Sequence, residues 1–385
     1  MFKKSLAAIA VLGTAAGFAC AADVTLYGVV DQGLIFNKTK VEAAGETTKT
    51  NNFGLESGVS AASRFGLKGT EDLGNGLKVG FKLENGFNAD DGTFGDDDRL
   101  FNREASLTLS GDFGALSFGR MGGVGSSAGV DSVYLTADAF DGGDNDVLGL
   151  AKSSRYDNMV QYQTPVFAGV QGTFQYSFKN DSKQEAFDRK GVATREGSAA
   201  ADRYMSAAVN GTFGPVQAVL AYELFNYASN NGLISEDVDN GQIVYLGGNY
   251  DCGFAKTFVM AQYFKDLGNK QLAALDFGTF EANTYSDNAF EGYGFHLGTQ
   301  FAALGGDFTL GGYYVDANTI EEDASRERDV SYYGFGAKYE YALSKRTSLY
   351  TGAGYGKTKF DAEKGGKHDT VNEVTQAYVG LTHKF

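Results

Sequence analysis

The side chains best equipped for bond-making chemistry are scarce in this 385-residue sequence and far apart. His296, His368 and His383 are the three histidines, and no serine stands beside one as a nucleophile beside its base. Cys20 and Cys252 are the two cysteines, too few with those histidines for a zinc site or a disulfide framework. No catalytic residue, metal or cofactor is expected. What remains is fixed charge. Arg64, Lys68, Lys78 and Lys82 lie opposite apolar neighbours, while Asp131, Asp138, Asp141, Asp144 and Asp146 crowd the glycine-rich stretch 121–154, in which Lys152 is the one base past Arg120. Opposed across a narrow aqueous space, such groups sort ions by sign, because low-dielectric walls leave them poorly screened. An ordinary solvated acidic loop is the plainer account of the aspartates, and solvation away from any narrow point that of Lys78 and Lys82.

The elements that must position these charges show themselves by a period of two. In 77–87, Leu77, Val79, Phe81, Leu83 and Phe87 alternate with Lys78, Gly80, Lys82, Glu84 and Gly86, broken by Asn85. Successive strand side chains point to opposite faces. This stretch of about 10 residues thus has one greasy face and one charged or minimal face, as a tilted strand of a membrane-spanning barrel requires. The pattern returns in 169–178, 291–301, 307–315 and 331–341. Short glycine turns at 72–76, 111–114, 211–214 and 304–306 alternate with longer polar stretches at 38–60, 88–98, 179–202 and 317–329. The fold class expected is therefore all-β, an antiparallel transmembrane β-barrel of 16 strands, with 14 and 18 as neighbouring counts. Greasy side chains should look outward everywhere, and charged or glycine positions should border water inside. Tyr27, Tyr176, Tyr250, Tyr263, Tyr314 and Tyr355 fall near strand ends, where aromatic girdles form; Cys252 reads as buried.

Composition agrees. There are 53 glycines, 2 prolines and 14% aromatic residues without tryptophan, a profile of many tightly turned strands. No segment reaches the ~18 consecutive apolar residues of a membrane helix. Net charge is −15, with 48 acids against 33 Lys and Arg, which argues against a nucleic-acid partner. A soluble β-sandwich is the competing fold. Against it stand the polar faces, which make a polar interior when the apolar faces look out, and the aromatic Phe385 that ends a strand-like stretch, as an outer-membrane assembly signal does.

Residues 1–21 form a separate unit. Lys3 and Lys4 give a basic start, 6–16 an apolar core, and Ala19-Cys20-Ala21 a small-residue cleavage site. This is the pattern of a secretory signal peptide, with cleavage after Ala21 or one residue later, and 22–385 as a single barrel domain. The apolar run is too short for a membrane anchor.

The run Ser63-Arg64-Phe65-Gly66-Leu67-Lys68-Gly69-Thr70-Glu71-Asp72-Leu73-Gly74-Asn75-Gly76-Leu77-Lys78 resembles the second hairpin of the general-diffusion porins of β-proteobacteria, the Neisseria, Comamonas and Burkholderia type. The stretch 23–31 is similar to their first strand, Phe101-Asn102-Arg103-Glu104 and Leu116-Ser117-Phe118-Gly119-Arg120 to the flanks of their fourth and fifth, and 341–347 with 379–385 to their last two. The matches run in order over nearly the whole chain past residue 22. The resemblance implies a 16-stranded, usually trimeric barrel whose third long loop, here 121–154, folds inward and narrows the pore. It also implies that Arg64, Arg103 and Arg155 occupy the arginine positions of the constriction. Arg103 shares parity with Ala105, Leu107 and Leu109, so either it lies at the rim or a bulge intervenes.

The function these readings imply is an outer-membrane channel for passive diffusion of small hydrophilic solutes and ions, with a basic wall opposite an acidic loop. The alternatives are a substrate- or anion-selective porin and a barrel serving mainly as surface adhesin or structural anchor. Outer-membrane lipid and lipopolysaccharide are the expected surroundings. The acids at 90–91, 96–98 and 321–323 either hold cations that bridge lipopolysaccharide or simply keep the surface soluble.

Overall fold

The computed structural model describes residues 24–96, 98–130, 132–141, 148–183, 195–198, 201–227, 239–268, 271–272, 289–320, 328–362 and 368–385. The leader at 1–21, Asp131, Asp144, Asp146, and the acids at 97 and 321–323 lie outside the described residues. In chain order these form β1 (Thr25–Ala43), β2 (Glu46–Ser57), β3 (Arg64–Gly74), β4 (Leu77–Gly86), β5 (Glu104–Gly111), β6 (Gly114–Gly122), the short helix α1 (Val133–Ala137), β7 (Arg155–Gln163), β8 (Val170–Ser177), β9 (Arg203–Phe213), β10 (Val216–Asn226), β11 (Gly241–Asp251), β12 (Ala255–Leu267), β13 (Ala289–Ala303), β14 (Gly306–Ile320), β15 (Asp329–Ala342), β16 (Thr347–Phe360) and β17 (Thr370–Lys384).

Every pairing is antiparallel, and β17 pairs back onto β1 from Val29 opposite Lys384 to Glu42 opposite Val371, which closes the sheet. Phe385 adds one more rung by exchanging backbone hydrogen bonds of 3.0 Å with Gly28. β2 and β3 are two parts of one stave, since Ser57 faces Gln32 and Arg64 faces Val29 on the same strand β1. Residues 58–63 leave the ladder between them as an oversized bulge. The seventeen strands therefore make a closed antiparallel barrel of sixteen staves. No edge is left along the wall that crosses the bilayer, as backbone in hydrocarbon demands.

Turn chemistry sets the two ends. Asn75 and Gly76 both have positive φ, 52° and 78°, the paired left-handed geometry that follows the twist of a two-residue hairpin. The long connections gather at the opposite end. The stretch 38–60 departs from the expected loop: β1 and β2 continue as a ladder to the two-residue turn Ala44-Gly45. β1 has 19 residues where ~9–11 cross a membrane. Its upper part is polar because it stands above the apolar belt, and the threonines of the paired β2 favour the extended ladder.

The outward half of the orientation rule holds around the barrel. Leu246, Leu297 and Phe335 are 61%, 62% and 58% exposed on the outer face. Tyr250 and Tyr314 also point out, but Tyr27 points into the lumen and donates to Glu84 at 2.8 Å. Cys252 is exposed in the turn between β11 and β12, since the hairpin has no interior there to bury it. The inward half holds for one side only. On β3 to β5 inward positions are Arg, Lys, Glu, Ser, Thr and Gly, whereas β9 to β15 send in Tyr204, Phe225, Ile243, Tyr245, Phe258, Met260, Phe264, Tyr313 and Tyr332, all buried in one apolar cluster. The described residues of 123–154 cover them and add Val124, Val133, Tyr134, Phe140, Leu148 and Leu150 to that cluster.

Candidate functional site

The charged side of the lumen is built by strand parity. With Val79, Phe81 and Leu83 on the outer face of β4, Lys78, Lys82 and Glu84 must face inward, and β3 contributes Arg64, Gly66 and Lys68 beside them in register. Glu84 is 6% exposed and is the hub. Its Oε1 accepts from Arg103 Nε at 2.7 Å; its Oε2 accepts from the Tyr27 hydroxyl at 2.8 Å and lies 3.7 Å from Lys82 Nζ and 4.0 Å from Arg64 Nε. Lys82 also donates to Glu104 at 2.7 Å. Arg155 shares the electrostatic neighbourhood of Arg64, Arg103, Arg120 and Glu84. One buried carboxylate satisfies donors that would otherwise be stranded, yet it cannot neutralise the cations grouped around it.

Arg103 escapes the parity conflict because the β5 ladder begins at Glu104. The chain is still turning at 103, whose N–H donates to the Glu84 carbonyl at 3.2 Å, and the side chain swings to the luminal side. Not all the expected basic residues join this cluster. Lys68 is exposed toward the short-turn end, its Nζ 5.2 Å from the Tyr27 ring centre, and Lys78 sits farther along, opposite Asp72.

The other side of the lumen is occupied by residues 123–130, 132–141 and 148–154. Val124, Val133, Tyr134, Phe140, Leu148 and Leu150 are buried against the inward aromatic residues of β9 to β15. Helix α1 is capped by Ser132, whose hydroxyl accepts from Tyr134 N, which frees this one turn from needing outside partners. Two carboxylates pin the segment to the wall. Glu223, fully buried on β10, accepts from Gly125 N at 2.9 Å, from Tyr245 at 2.8 Å and from the Tyr204 hydroxyl. Gly125 is required here, because a Cβ at that position would collide with the Glu223 carboxylate. Asp138 accepts from Phe140 N and from the Tyr313 hydroxyl, both at 2.7 Å. Next to it His296 Nδ1 lies 3.1 Å from the Gly312 carbonyl, and Nε2 accepts from Ala139 N at 3.1 Å, so the ring is the neutral Nδ1–H tautomer. Asp138, expected on the acidic face of the loop, is thus a fully buried anchor turned away from the channel. Asp141 is exposed.

A third group lies between the two sides. Residues 58–63 are tied to Asp31, whose carboxylate accepts from Ser60 N at 3.2 Å, from Tyr350 at 2.8 Å and from the Thr382 hydroxyl. Val59 packs with Ile35, Tyr350 and Tyr378. Lys338 on β15 reaches Ser60 Oγ at 3.5 Å and lies 5.7 Å from the Phe140 ring centre, so it bridges the bulge and the inward loop. Sequence reasoning missed Glu84 as hub, Lys338, Asp31 and Glu223. Parity alone put Lys338 inward, opposite Tyr339 and Phe335. For Glu223 the signal was its setting, Tyr222-Glu223-Leu224-Phe225, in strands apolar on both faces.

At the rim, Asp91, Asp96 and Asp98 are committed within the chain. Asp96 pairs with Lys183 at 2.5 Å and Arg99 at 3.4 Å, and Asp98 with Lys183 at 3.3 Å. Lys183 holds the Asp96 carboxyl below the usual range, and Asp96 in turn pushes the Lys183 ammonium up. Arg99 continues to Asp157 and Asp181, each at 2.7 Å.

The sequence profile of the Gram-negative porin family matches residues 6–362. An outer membrane porin protein of Bordetella pertussis is 33% identical over 410 residues, and outer membrane porin protein 32 of Delftia acidovorans 30% over 412, with each alignment covering 100% of both chains. Among solved structures, the anion-selective porin from Comamonas acidovorans superposes with a TM-score of 0.61 at 26% identity, covering 95% of this chain and 100% of that one.

Proposed function

Because the chain belongs to the Gram-negative porin family, we infer from its lumen how solutes are sorted as they cross. It is an outer-membrane porin, a water-filled channel for passive diffusion of small hydrophilic solutes and ions. The inference concerns the filter: Arg64, Arg103, Arg155 and Lys82, grouped around Glu84 with Glu104 beside Lys82, form the basic wall of the constriction, and the described residues of 123–154 form the opposite wall. The observation that carries this is the surplus of cations around Glu84. In a confined passage such a surplus draws anions in and repels cations, and it gives the channel an anion preference, the property in the name of its Comamonas relative. Asp141, exposed on that segment, belongs to the facing wall. Arginine suits the place because its charge is permanent and its planar fork meets carboxylates and phosphates in two bonds. Transport in this reading makes and breaks no covalent bond.

The same reading includes removal of residues 1–21 on export, Phe385 as the assembly signal, and assembly of the mature barrel into trimers in lipid and lipopolysaccharide. The test is reversal potential across a salt gradient in planar bilayers for wild type and Arg64→Ala. The wild type should favour chloride, and the substitution should reduce that preference at least twofold in permeability ratio, a change of about 0.4 kcal/mol. An unchanged reversal potential removes Arg64 from the filter.

A further inference from the structure

We propose that the lumen carries a second anion station, on the short-turn side of the arginine cluster, built to hold a phosphorylated sugar or polyol. It rests on the reading of the lumen as the diffusion path, but not on the arginine filter. The site is a cleft of about 540 Å³ over β3, β4 and β5, within the ~300–1,000 Å³ of small-ligand pockets. Its first row is Lys68 directly opposite Lys82, which is opposite Ser106; its second is Thr70, Gly80 and Thr108.

Two features point to a ligand of this class. Like charges directly opposite each other on neighbouring strands, Cβ atoms about 5 Å apart, oppose folding. Here both ammonium groups line the same cleft. Lys82 donates to Glu104 at 2.7 Å and lies 3.7 Å from Glu84, and Lys68 lies over the Tyr27 ring; each ammonium carries three N–H donors, so donors remain for a guest. An ammonium group is a compact point charge suited to a phosphate oxygen. The second feature is the floor. Gly80 has no side chain, so the hydroxyls of Thr70, Ser106 and Thr108 border open space wide enough for a polyol chain. With Glu104 counted against the two lysines the cleft keeps one net positive charge, enough to favour a dianion and too little to trap it, as passage through a channel requires.

Purified full-length protein in planar bilayers at neutral pH tests this with glucose 6-phosphate as probe and glucose as its uncharged control. Glucose 6-phosphate should reduce the potassium chloride current saturably, and glucose should not. Lys68→Gln should raise the half-blocking concentration at least fivefold. Thr108→Val, which keeps every charge, should raise it at least twofold and serves should the lysine variant fail to insert. Absence of saturation in the wild type, equal block by glucose, or half-blocking concentrations unchanged in both variants would overturn the station. Block weakened by Arg64→Gln but by neither cleft variant would also overturn it and assign the binding to the arginine cluster. A reversal potential unmoved by Arg64→Gln refutes the filter and leaves the block measurements to decide the station on their own.

Discussion

The two sides of this barrel share one strand geometry and carry opposite interiors. Inward positions of β3 to β5 hold Arg64, Lys68, Lys82, Glu84 and Glu104, whereas those of β10 to β14 hold Phe225, Ile243, Tyr245, Met260 and Tyr313. Outside, both present the same greasy face. Alternation in a membrane barrel therefore specifies what meets lipid, and the inner face is set by what fills the space. Where the segment 123–154 lies against the wall, burial of each large side chain contributes about 1.5–3 kcal/mol, and the loop becomes a fixed part of the wall. Where nothing covers the wall, water does, and charges are left to act at a distance. One side is packed, and the other is where we place selectivity.

The sharpest way to break this division is to undo the anchor on the apolar side. Glu223→Ala strands Gly125 N and leaves the hydroxyls of Tyr204 and Tyr245 the longer contacts to Gln175 at 3.3 Å and the Ala151 carbonyl at 3.5 Å; a buried donor left unpaired costs about 1–3 kcal/mol. Several kcal/mol of loop anchoring should be lost, seen as a lower unfolding temperature and stronger open-channel current noise. A quiet channel with wild-type stability would show that the apolar contacts hold the loop alone. On the charged side, Glu84→Gln keeps the shape and removes the counter-charge beside Arg64, Lys82 and Arg103. Chloride preference should rise by about twofold, or about 0.4 kcal/mol, in the same reversal-potential measurement. A shift toward potassium would mean that Glu84 acts chiefly by aiming Arg103.

Most of the barrel could be read from the sequence because lipid imposes a strict demand on every strand. The outward faces of 77–87, 169–178 and 331–341 stand as their period-two pattern requires, and the sixteen staves follow. The break at 58–63 could not be read, since bulge and loop look alike without the partner strand that shows β2 and β3 to be collinear. The site was legible in part. Parity put Arg64 and Lys82 on the face that carries Glu84, but a carboxylate such as Glu84 reads as one more polar residue until three cations are seen converging on it. Asp138 misled because an aspartate in a glycine-rich loop looks solvated; only the fold brings Tyr313, some 175 residues away, to its oxygen. The apolar interior was written in 241–251 and 255–267, where Ile243 and Val244, or Phe258 and Val259, are greasy on consecutive positions.

The second anchor sharpens the comparison by a smaller step. Tyr313→Phe deletes the hydroxyl that donates to Asp138 at 2.7 Å and leaves the ring packed. Hydrogen bonds to charged groups are worth about 1.5–3 kcal/mol, so the unfolding temperature should fall, with ion preference retained because Asp138 faces away from the channel. An altered reversal potential would place Asp138 in the filter after all.

The smallest effect is expected at the rim, where both sides give way to solvent and the same kind of ion pair is exposed. Asp96 and Lys183 tie the loop after β4 to the one after β8, and the pair is screened as Glu223 is not, the Debye length being about 8 Å at physiological ionic strength. Lys183 depresses the Asp96 carboxyl. A depressed acid stabilises the folded state fully above its unfolded value, about 3.9, and that stabilisation is lost as pH falls through the lower folded value. Proteolytic cleavage in 179–202 by an acid-active protease should therefore accelerate as pH drops below about 4 in wild type. In Lys183→Gln it should already be fast near pH 4 and change little below it, and concentrated salt should bring wild type to the same rate. A pH response that survives the substitution would place the latch outside the Asp96–Lys183 pair, on the Arg99 branch of the same network.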